Sequence, residues 1–456
     1  MTHMAVRMFQ GGTMKKTIWT MMLAFALVAA FAVAGCAGND ASSETSPESA
    51  AEGAATSQNA AAAQFDTTAS SITLKSGMKG GLQPIVVNDP EEYSASQAEE
   101  AERAIRSYTP PTQDSLLINE APEFYYYSQL SGDAKDLYDA IVYLMEDPTT
   151  EDRFVSANVS AGTTSEDMAP AFTLASLAVL YDHPEFFWAY NGLETDLLAG
   201  VHDGTFYMAL DKPYKNYEAE MTAFNDAVKD FLDDIDLDKS DAEVALAIHD
   251  KLIGMVTYDY DEAASSSTTS DFAHTAYGAL VQNSSGAANT AVCDGYSQAY
   301  VYLLQQAGIE AAVLVGKGGR TEAEAENHAW AIVKLDGEWY EVDCTWDDST
   351  DGLQQELSQL KAADPDNEAI PYCEEALADS AYCNILNHQM YNLTTSQISD
   401  FVPAKNQIYT FDEGMGLDLI GTSVHVRASD LSGFPGYDSL MELAPRATGT
   451  KYAFAA

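Results

Sequence analysis

Apolar residues recur at steps of three and four positions along several stretches of the first half of the chain. Such spacing gathers them on one side of a helix, and it therefore predicts amphipathic helices. The predicted helices span 99–108, 132–145, 169–181 and 217–232. Region 71–239 is accordingly expected to be a mainly helical domain, whose many aromatic residues serve as core rather than as a ligand cradle.

A second predicted domain, 240–403, begins where a new helix is signalled. Ser240 and Glu243 have the spacing of a capping box, in which the two side chains bind backbone N–H groups at a helix start. Helical spacing returns after Cys293 and continues to Ala307, so this cysteine stands at the N-terminus of a predicted helix. A short apolar run at 311–315 is then consistent with a strand.

A β-hairpin is predicted after that strand. Two β-rich runs, HAWAIVKL and EWYEVD, flank an Asp-Gly dipeptide at 336–337, which favours a two-residue turn. With that dipeptide as the turn, Trp330 faces Asp343. Because side chains alternate in direction along a strand, His328 then shares a face with Asp343, roughly 7–8 Å away at the backbone. A shift of one residue in register would send the two side chains to opposite faces.

Cys293, His328 and Asp343 together offer the groups of a thiol-based catalytic triad. A helix N-terminus stabilises a thiolate and lowers the pKa of a cysteine placed there. A nucleophilic thiol needs a base, and the base needs a third group that orients it. Taken singly, each residue has an ordinary structural interpretation: a buried cysteine, a hydrogen-bonded histidine and a solvated aspartate.

Four motifs around these residues occur in the order found in one known family: VCDGYS at 292–297, AGI at 307–309, HAW at 328–330 and GEWYEVDCTWDD at 337–348. Together they resemble the transglutaminase-like superfamily of bacterial envelope proteins, over roughly 240–403. The resemblance implies an α+β, papain-like fold, in which the cysteine-bearing helix packs on an antiparallel sheet. It also implies that Cys293 is the nucleophile, His328 the general base and acid, and Asp343 the orienting carboxylate.

The resemblance further implies an oxyanion site, formed by the backbone N–H of Cys293 and one side-chain donor. Tyr258 lies where the family often has an aromatic donor, whereas Gln282 is a glutamine upstream of the thiol, as in papain-like enzymes. Tyr258 is the preferred candidate. Cys344 departs from the family, in which proline is common at this position, and we expect it to pack in the interior.

Two further segments lie beyond the family motifs. A long insertion, 349–382, would either cover the cleft or decorate its edge. Segment 404–456 is expected to be a C-terminal extension with short strands.

The first 36 residues resemble a bacterial lipoprotein signal peptide. Two lysines, Lys15 and Lys16, precede an apolar run that ends in Val-Ala-Gly-Cys at 33–36. The resemblance implies cleavage before Cys36, acylation of that residue, and a membrane-anchored, extracytoplasmic protein. An ordinary secretory signal or a short membrane helix is the alternative. Segment 37–70 has almost no large apolar residue and is expected to be a disordered tether.

Charge excludes one class of partner. The 456 residues include 70 acidic and 22 basic side chains, giving a formal net charge of −48 at pH 7, so nucleic acid is not an expected partner. In an oxidising compartment Cys373 and Cys383 could form a disulfide. Neither a His-Glu-x-x-His motif nor paired-cysteine spacing occurs, so no metal and no cofactor is expected. His249, His274 and His388 are interpreted as structural or surface residues.

The expected function is that of a lipid-anchored extracytoplasmic cysteine enzyme. It would cleave or transfer amide, peptide or isopeptide bonds through a thioester, with hydrolysis favoured over transamidation. Its substrate would be a surface protein or a cell-wall peptide. Two alternatives remain open: a non-catalytic binding or scaffolding module with the same fold, and an enzyme that processes only one dedicated partner.

Overall fold

The computed structural model describes the strand Gln83–Val86 and, from 124 to 452, all residues except 147, 150–152, 193–196, 203, 211–213, 215, 264–271, 282–288, 368, 403–421 and 435. The predicted signal peptide, the tether and the predicted helix over 99–108 lie outside the described residues, as do Cys36 and Gln282. None of the described helices is long and apolar enough to cross a membrane.

Helices occur along the whole described chain. They are α1 (Tyr125–Gln129), α2 (Asp133–Glu146), α3 (Ser165–Asp182), α4 (Tyr217–Leu232), α5 (Asp241–Ile253), α6 (Tyr260–Ala263), α7 (Ala276–Leu280), α8 (Cys293–Gln306), α9 (Cys344–Asp347), α10 (Ser349–Ala363), α11 (Ile370–Ala378), α12 (Ser380–Leu386), α13 (Thr395–Ser399) and α14 (Tyr437–Leu443). Helices α2, α3 and α4 lie where the apolar spacing predicts them. Helix α5 begins with the predicted capping box of Ser240 and Glu243.

The strands form two antiparallel sheets and one short parallel pair. They are β1 (Gln83–Val86), β2 (Arg153–Asn158), β3 (Leu197–His202), β4 (Thr205–Leu210), β5 (Val256–Tyr258), β6 (Asn289–Ala291), β7 (Ala311–Gly319), β8 (Glu326–Leu335), β9 (Glu338–Val342) and β10 (Val424–Arg427). The first sheet has the order β1-β2-β4-β3, the second has the order β10-β7-β8-β9, and β5 pairs with β6.

The predicted α+β fold is confirmed. Helix α8 packs against β7 and β8 of the second sheet and is also covered by α5 and α7. All but one of its residues are buried, as expected for a helix enclosed on every side. A helix headed by Cys293 therefore lies directly on the sheet that carries His328.

The N-terminal region contains a sheet that the helical spacing did not predict. Strands β1 to β4 all fall within the region expected to be mainly helical. In the sequence an Asp-Gly dipeptide at 203–204 stands between β3 and β4, and His202 pairs with Thr205. This is the same signal that marks the hairpin at 336–337, and it was available in the sequence.

Buried apolar side chains form one continuous cluster from Tyr126 to Ala447, which crosses the predicted domain boundaries at 239 and 403. Two hydrogen bonds show how the N-terminal helices meet the second sheet and its neighbours. The Tyr126 hydroxyl donates to the Val313 carbonyl on β7 at 2.5 Å. The Tyr125 hydroxyl donates to the Leu443 carbonyl at the end of α14 at 2.9 Å.

The insertion at 349–382 is helical and has a small core of its own. Helices α10, α11 and α12 bury Leu353, Leu357 and Leu386 together, separately from the main cluster. Cys373 belongs to this small core, whereas the Cys383 thiol points at the Ala376 carbonyl at 3.5 Å. The two cysteines, considered from the sequence as a disulfide pair, are not bridged in this structure.

Candidate active site

Close packing of the backbone around Cys293 holds its thiol at the start of α8. Strand β6 runs parallel to β5 and leads into Cys293, and the Val292 N–H donates to the Ala273 carbonyl at 2.9 Å. A side chain at Gly295 would bring a Cβ within 2.3 Å of that same carbonyl, so only glycine fits there. Cys293 is buried, with 6% of its surface exposed.

The imidazole and the carboxylate meet as the hairpin register predicts. Leu335 pairs with Glu338 across the turn, and the pairing continues to Ala331 and Val342. His328 Nε2 lies 2.7 Å from Asp343 Oδ2, and both side chains are buried. The diagonal placement inferred from the sequence is thereby confirmed.

Asp343 is not the last residue of the strand but the N-cap of the short helix α9. Its Oδ1 accepts the backbone N–H groups of Thr345 at 3.0 Å and Trp346 at 3.2 Å. Burial alone would raise the pKa of Asp343, but the charges and hydrogen bonds of His328 and His425 outweigh it and hold that pKa well below its usual range. Asp343 is therefore an ionised acceptor, and His328 Nε2 donates to it.

His425 is the site residue that the sequence did not reveal. Its Nε2 lies 2.8 Å from the same Oδ2 atom that His328 contacts. It stands on β10, which pairs with β7 in a register that places His425 opposite Gly318. It comes from the segment beyond the family motifs, and a four-residue strand without a turn signal gave no reason to select it.

Two glycines on β7 make room for this arrangement. A Cβ on Gly318 would lie 2.8 Å from the Cδ2 atom of His328, and a Cβ on Gly316 would lie 1.9 Å from the Val426 carbonyl oxygen. Because Gly318 has no side chain, there is room for the imidazole ring of His328. Because Gly316 has none, β10 can pack against β7. Trp330 and Trp346 lie beside the His328 ring, each with its ring centroid 6.0 Å away.

A cleft of about 500 Å³ opens beside His328. Tyr258 and Trp346 line it, and so does Ser349 at the start of the insertion. Cys293 is not among the described residues that line this cleft. The insertion therefore contributes to the lining of the cleft.

Tyr258 is well placed relative to the thiol. On β5 it pairs with Ala291, two residues before Cys293, and the N–H of the next residue, Asp259, donates to the Ala291 carbonyl at 3.0 Å. Tyr258 thus lies in the cleft that His328 lines and close in register to the chain that carries the thiol. The other oxyanion candidate, Gln282, lies outside the described residues.

Asp348 is a buried acid that lines the cleft. It accepts a hydrogen bond from the Tyr296 hydroxyl at 2.6 Å. Burial raises the pKa of Asp348 to about 8, and the nearby charge of Asp351 adds to the effect, although the Tyr296 hydrogen bond opposes it. Near neutral pH this group is therefore largely an uncharged carboxylic acid.

Comparison with known proteins agrees with the motifs. Residues 229–344 match the model of the Transglutaminase-like superfamily, so the family resemblance is confirmed for the segment that holds Cys293, His328 and Asp343. A comparison with curated proteins finds no match.

Two solved structures are similar over part of the chain. One is described as the crystal structure of a TGase, with 19% identity over 33% of this chain and 44% of that one, at a TM-score of 0.23. The other is a proposed cysteine protease from Cytophaga hutchinsonii, with 14% identity over 33% of this chain and 62% of that one, at a TM-score of 0.20. This chain covers less than two thirds of either structure, and likenesses of this size support no conclusion about mechanism.

Proposed function

We propose that this protein is a cysteine enzyme that acts on amide, peptide or isopeptide bonds through a thioester intermediate. The observation that carries the proposal is the buried 2.7 Å contact between His328 and Asp343 on a sheet against which the Cys293 helix packs. A base oriented by a carboxylate next to a thiol-bearing helix N-terminus is the arrangement that activates a cysteine nucleophile.

The proposed reaction assigns each group one task. Nδ1 of His328 takes the thiol proton while the Cys293 sulfur forms a bond to the acyl carbon. His328 then gives that proton to the leaving amine as the carbon–nitrogen bond breaks, which leaves a thioester. Asp343 accepts the Nε2–H of His328 throughout and so fixes the ring and stabilises its charged form.

The developing oxyanion needs donors that point at it before the reaction begins. In the proposal these are the backbone N–H of Cys293 and the hydroxyl of Tyr258, which lines the cleft beside His328. Water attacking the thioester gives hydrolysis, and an amine gives transamidation. We favour hydrolysis, with a surface protein or a cell-wall peptide as substrate and a lipid on Cys36 as the membrane anchor.

A non-catalytic binding module is the second candidate. It is favoured by one observation: Cys293 is 6% exposed and is absent from the described lining of the cleft. In that case the cleft would bind a peptide that the thiol does not reach. The two candidates differ in whether the thiol reacts with an acyl group.

The test uses the full chain with a glutamine-peptide library, a labelled amine and a thiol-directed activity probe, followed by mass spectrometry. Cleaved peptides support hydrolysis, and amine-labelled peptides support transfer. Cys293→Ala should abolish every product, whereas Cys383→Ala, which removes a half-buried thiol on α12, should not. Asp343→Asn should slow turnover by up to about 10⁴-fold. Product formation by Cys293→Ala, or no product and no probe labelling by the wild-type chain, would contradict the proposal.

A further inference from the structure

A second group of imidazoles and carboxylates lies away from the triad. His249 and Asp250 are neighbours on α5, and His388 follows α12 much later in the chain. Asp250 Oδ1 is 3.0 Å from His249 Nδ1 and 2.8 Å from His388 Nε2. One ligand atom from each residue lies within 4.8 Å of the other two.

Each of the two imidazoles uses its other nitrogen for a second contact. His388 Nδ1 lies 2.7 Å from the Asn384 carbonyl oxygen. His249 Nε2 lies 3.2 Å from Asp347 Oδ2, and Asp347 in turn accepts the Met390 N–H at 2.7 Å. Histidines that bind a metal with one nitrogen typically donate the other N–H to a carbonyl or a carboxylate, which fixes the ring.

The Asp250 carboxylate lies between the two imidazole rings, and its Oδ1 atom contacts a nitrogen of each. A carboxylate oxygen that meets two imidazole nitrogens is a set of ligand atoms that a divalent cation can bind.

We propose that His249, Asp250 and His388 bind a divalent transition-metal ion of the zinc class. Two imidazole nitrogens and a carboxylate are ligands that zinc prefers, and ligands about 2.0–2.1 Å from one zinc ion lie roughly 3 Å apart, close to the observed contacts. The Asp250 side chain is 50% exposed, so water can complete the coordination and the ion can enter from solvent. Calcium is a poorer fit because it needs about 6–8 oxygen ligands.

The ion would stabilise the fold and would take no part in catalysis. It would join α5 to the segment that follows the insertion, and Asp347, which orients His249, lies one helical turn beyond the triad residue Asp343. The ligands come from distant parts of the sequence, and no short motif marks them. This is why the sequence predicted structural or surface roles for His249 and His388.

The test is a calorimetric titration of zinc into the full chain after treatment with a chelator, in a Cys293→Ser background that removes the triad thiol as a ligand. We expect one tight site per chain. Asp250→Asn and His388→Gln should each weaken this site at least about tenfold. Asp250 is half exposed, so its variant should fold normally.

Two controls distinguish this site from other acidic or histidine-containing places. Asp233→Asn removes an exposed carboxylate on the surface and should leave zinc binding unchanged. His425→Met dismantles the other His-Asp-His group, around Asp343, and should also leave it unchanged. The absence of a stoichiometric site, equal affinity in the Asp250→Asn and Asp233→Asn variants, or loss of the site only in His425→Met would each overturn the proposal.

Discussion

Each oxygen of the Asp343 carboxylate accepts two hydrogen bonds. Oδ1 takes two backbone N–H groups at the start of α9, and Oδ2 takes His328 and His425. His425 Nδ1 is buried without a hydrogen-bond partner among the described residues. A buried N–H without a partner costs about 1–3 kcal/mol, whereas His425 Nε2 has Asp343 Oδ2 as its partner.

The shared oxygen predicts a test of His425. A hydrogen bond to a charged group contributes about 1.5–3 kcal/mol. The hydrogen bond from His425 therefore weakens the negative charge that Asp343 presents to protonated His328. Without it, we expect the basic limb of the alkylation of Cys293 by iodoacetamide to move up by about half to one pH unit. His425→Met removes the donor, whereas His425→Gln has a similar length and keeps an N–H.

The measurement is the rate of alkylation of the Cys293 peptide by mass spectrometry across pH. Identical profiles for the Met and Gln variants would show that His425 only packs. A shift of the His425→Met profile to lower pH would show instead that His425 holds the carboxylate in position and does not reduce its negative charge.

At this scale the sequence predicted part of the site. The Asp-Gly turn fixes the hairpin register, and the register alone brings His328 to Asp343. No local pattern could place His425, because its position depends on how β10 returns to pair with β7. The same holds for His249 and His388, which meet only through the packing of α5 against a distant segment.

At the scale of the elements, β7 is closely packed on both of its edges. It lies between β8 and β10 and passes close to the backbone of β10 at Gly316. The sequence predicted a strand over 311–315, whereas β7 continues through a glycine-rich stretch to Gly319. These strand positions are glycines because the close approach of β10 and of the His328 ring leaves no room for side chains.

Gly316→Ala should therefore destabilise the fold. The added Cβ would lie 1.9 Å from the Val426 carbonyl oxygen, a backbone atom that cannot move without disturbing β10. We expect a loss of about 1–3 kcal/mol in the free energy of unfolding, measured with urea. The matched control is Gly352→Ala in α10, where the new Cβ meets only the Tyr260 hydroxyl at 3.5 Å.

The control substitution should change the free energy of unfolding in the opposite direction. Alanine is preferred to glycine inside a helix by about 0.5–1 kcal/mol, so Gly352→Ala should stabilise the protein. If Gly316→Ala unfolds at the wild-type urea concentration, β10 does not approach β7 as closely as described.

At the scale of the whole molecule, three buried acids set a pH dependence. Burial is the largest cause in each case, and it raises the pKa of Asp182 to about 6, of Asp347 to about 6 and of Asp348 to about 8. Between the ordinary aspartate pKa of 3.8 and these values, the folded chain retains protons that the unfolded chain has lost. Their contribution to stability is therefore complete below pH 3.8 and declines as the pH rises toward about 8.

Asp348→Asn isolates one of these contributions. Asparagine is neutral at every pH and can still accept the Tyr296 hydrogen bond. Subtracting its free energy of unfolding from that of the wild type also removes the effect of the net charge of −48. We expect the difference to fall between about pH 4 and pH 8, by up to about 1.4 kcal/mol per pH unit, and to level off above. A difference that stays constant across this range would mean that Asp348 is ionised in the folded protein.

The whole fold was less predictable than the hairpin. Helical spacing located α2, α3 and α4, because their apolar faces repeat over several turns. In the first sheet only β3 and β4 are adjacent in the sequence, separated by Asp-Gly at 203–204, whereas β1 and β2 are short and come from positions far from them. The continuous core, which joins the N-terminal helices to the second sheet through contacts such as that of Tyr126 with Val313, cannot be read from local patterns.

The helices of the insertion bury their apolar residues in a small core separate from the main one, while Ser349 and Gly352 border the cleft. Mutations inside that small core can therefore reshape the entrance without disturbing the bonds around Asp343. Substitutions there can in this way change which molecules fit the cleft and leave the contact between His328 and Asp343 intact.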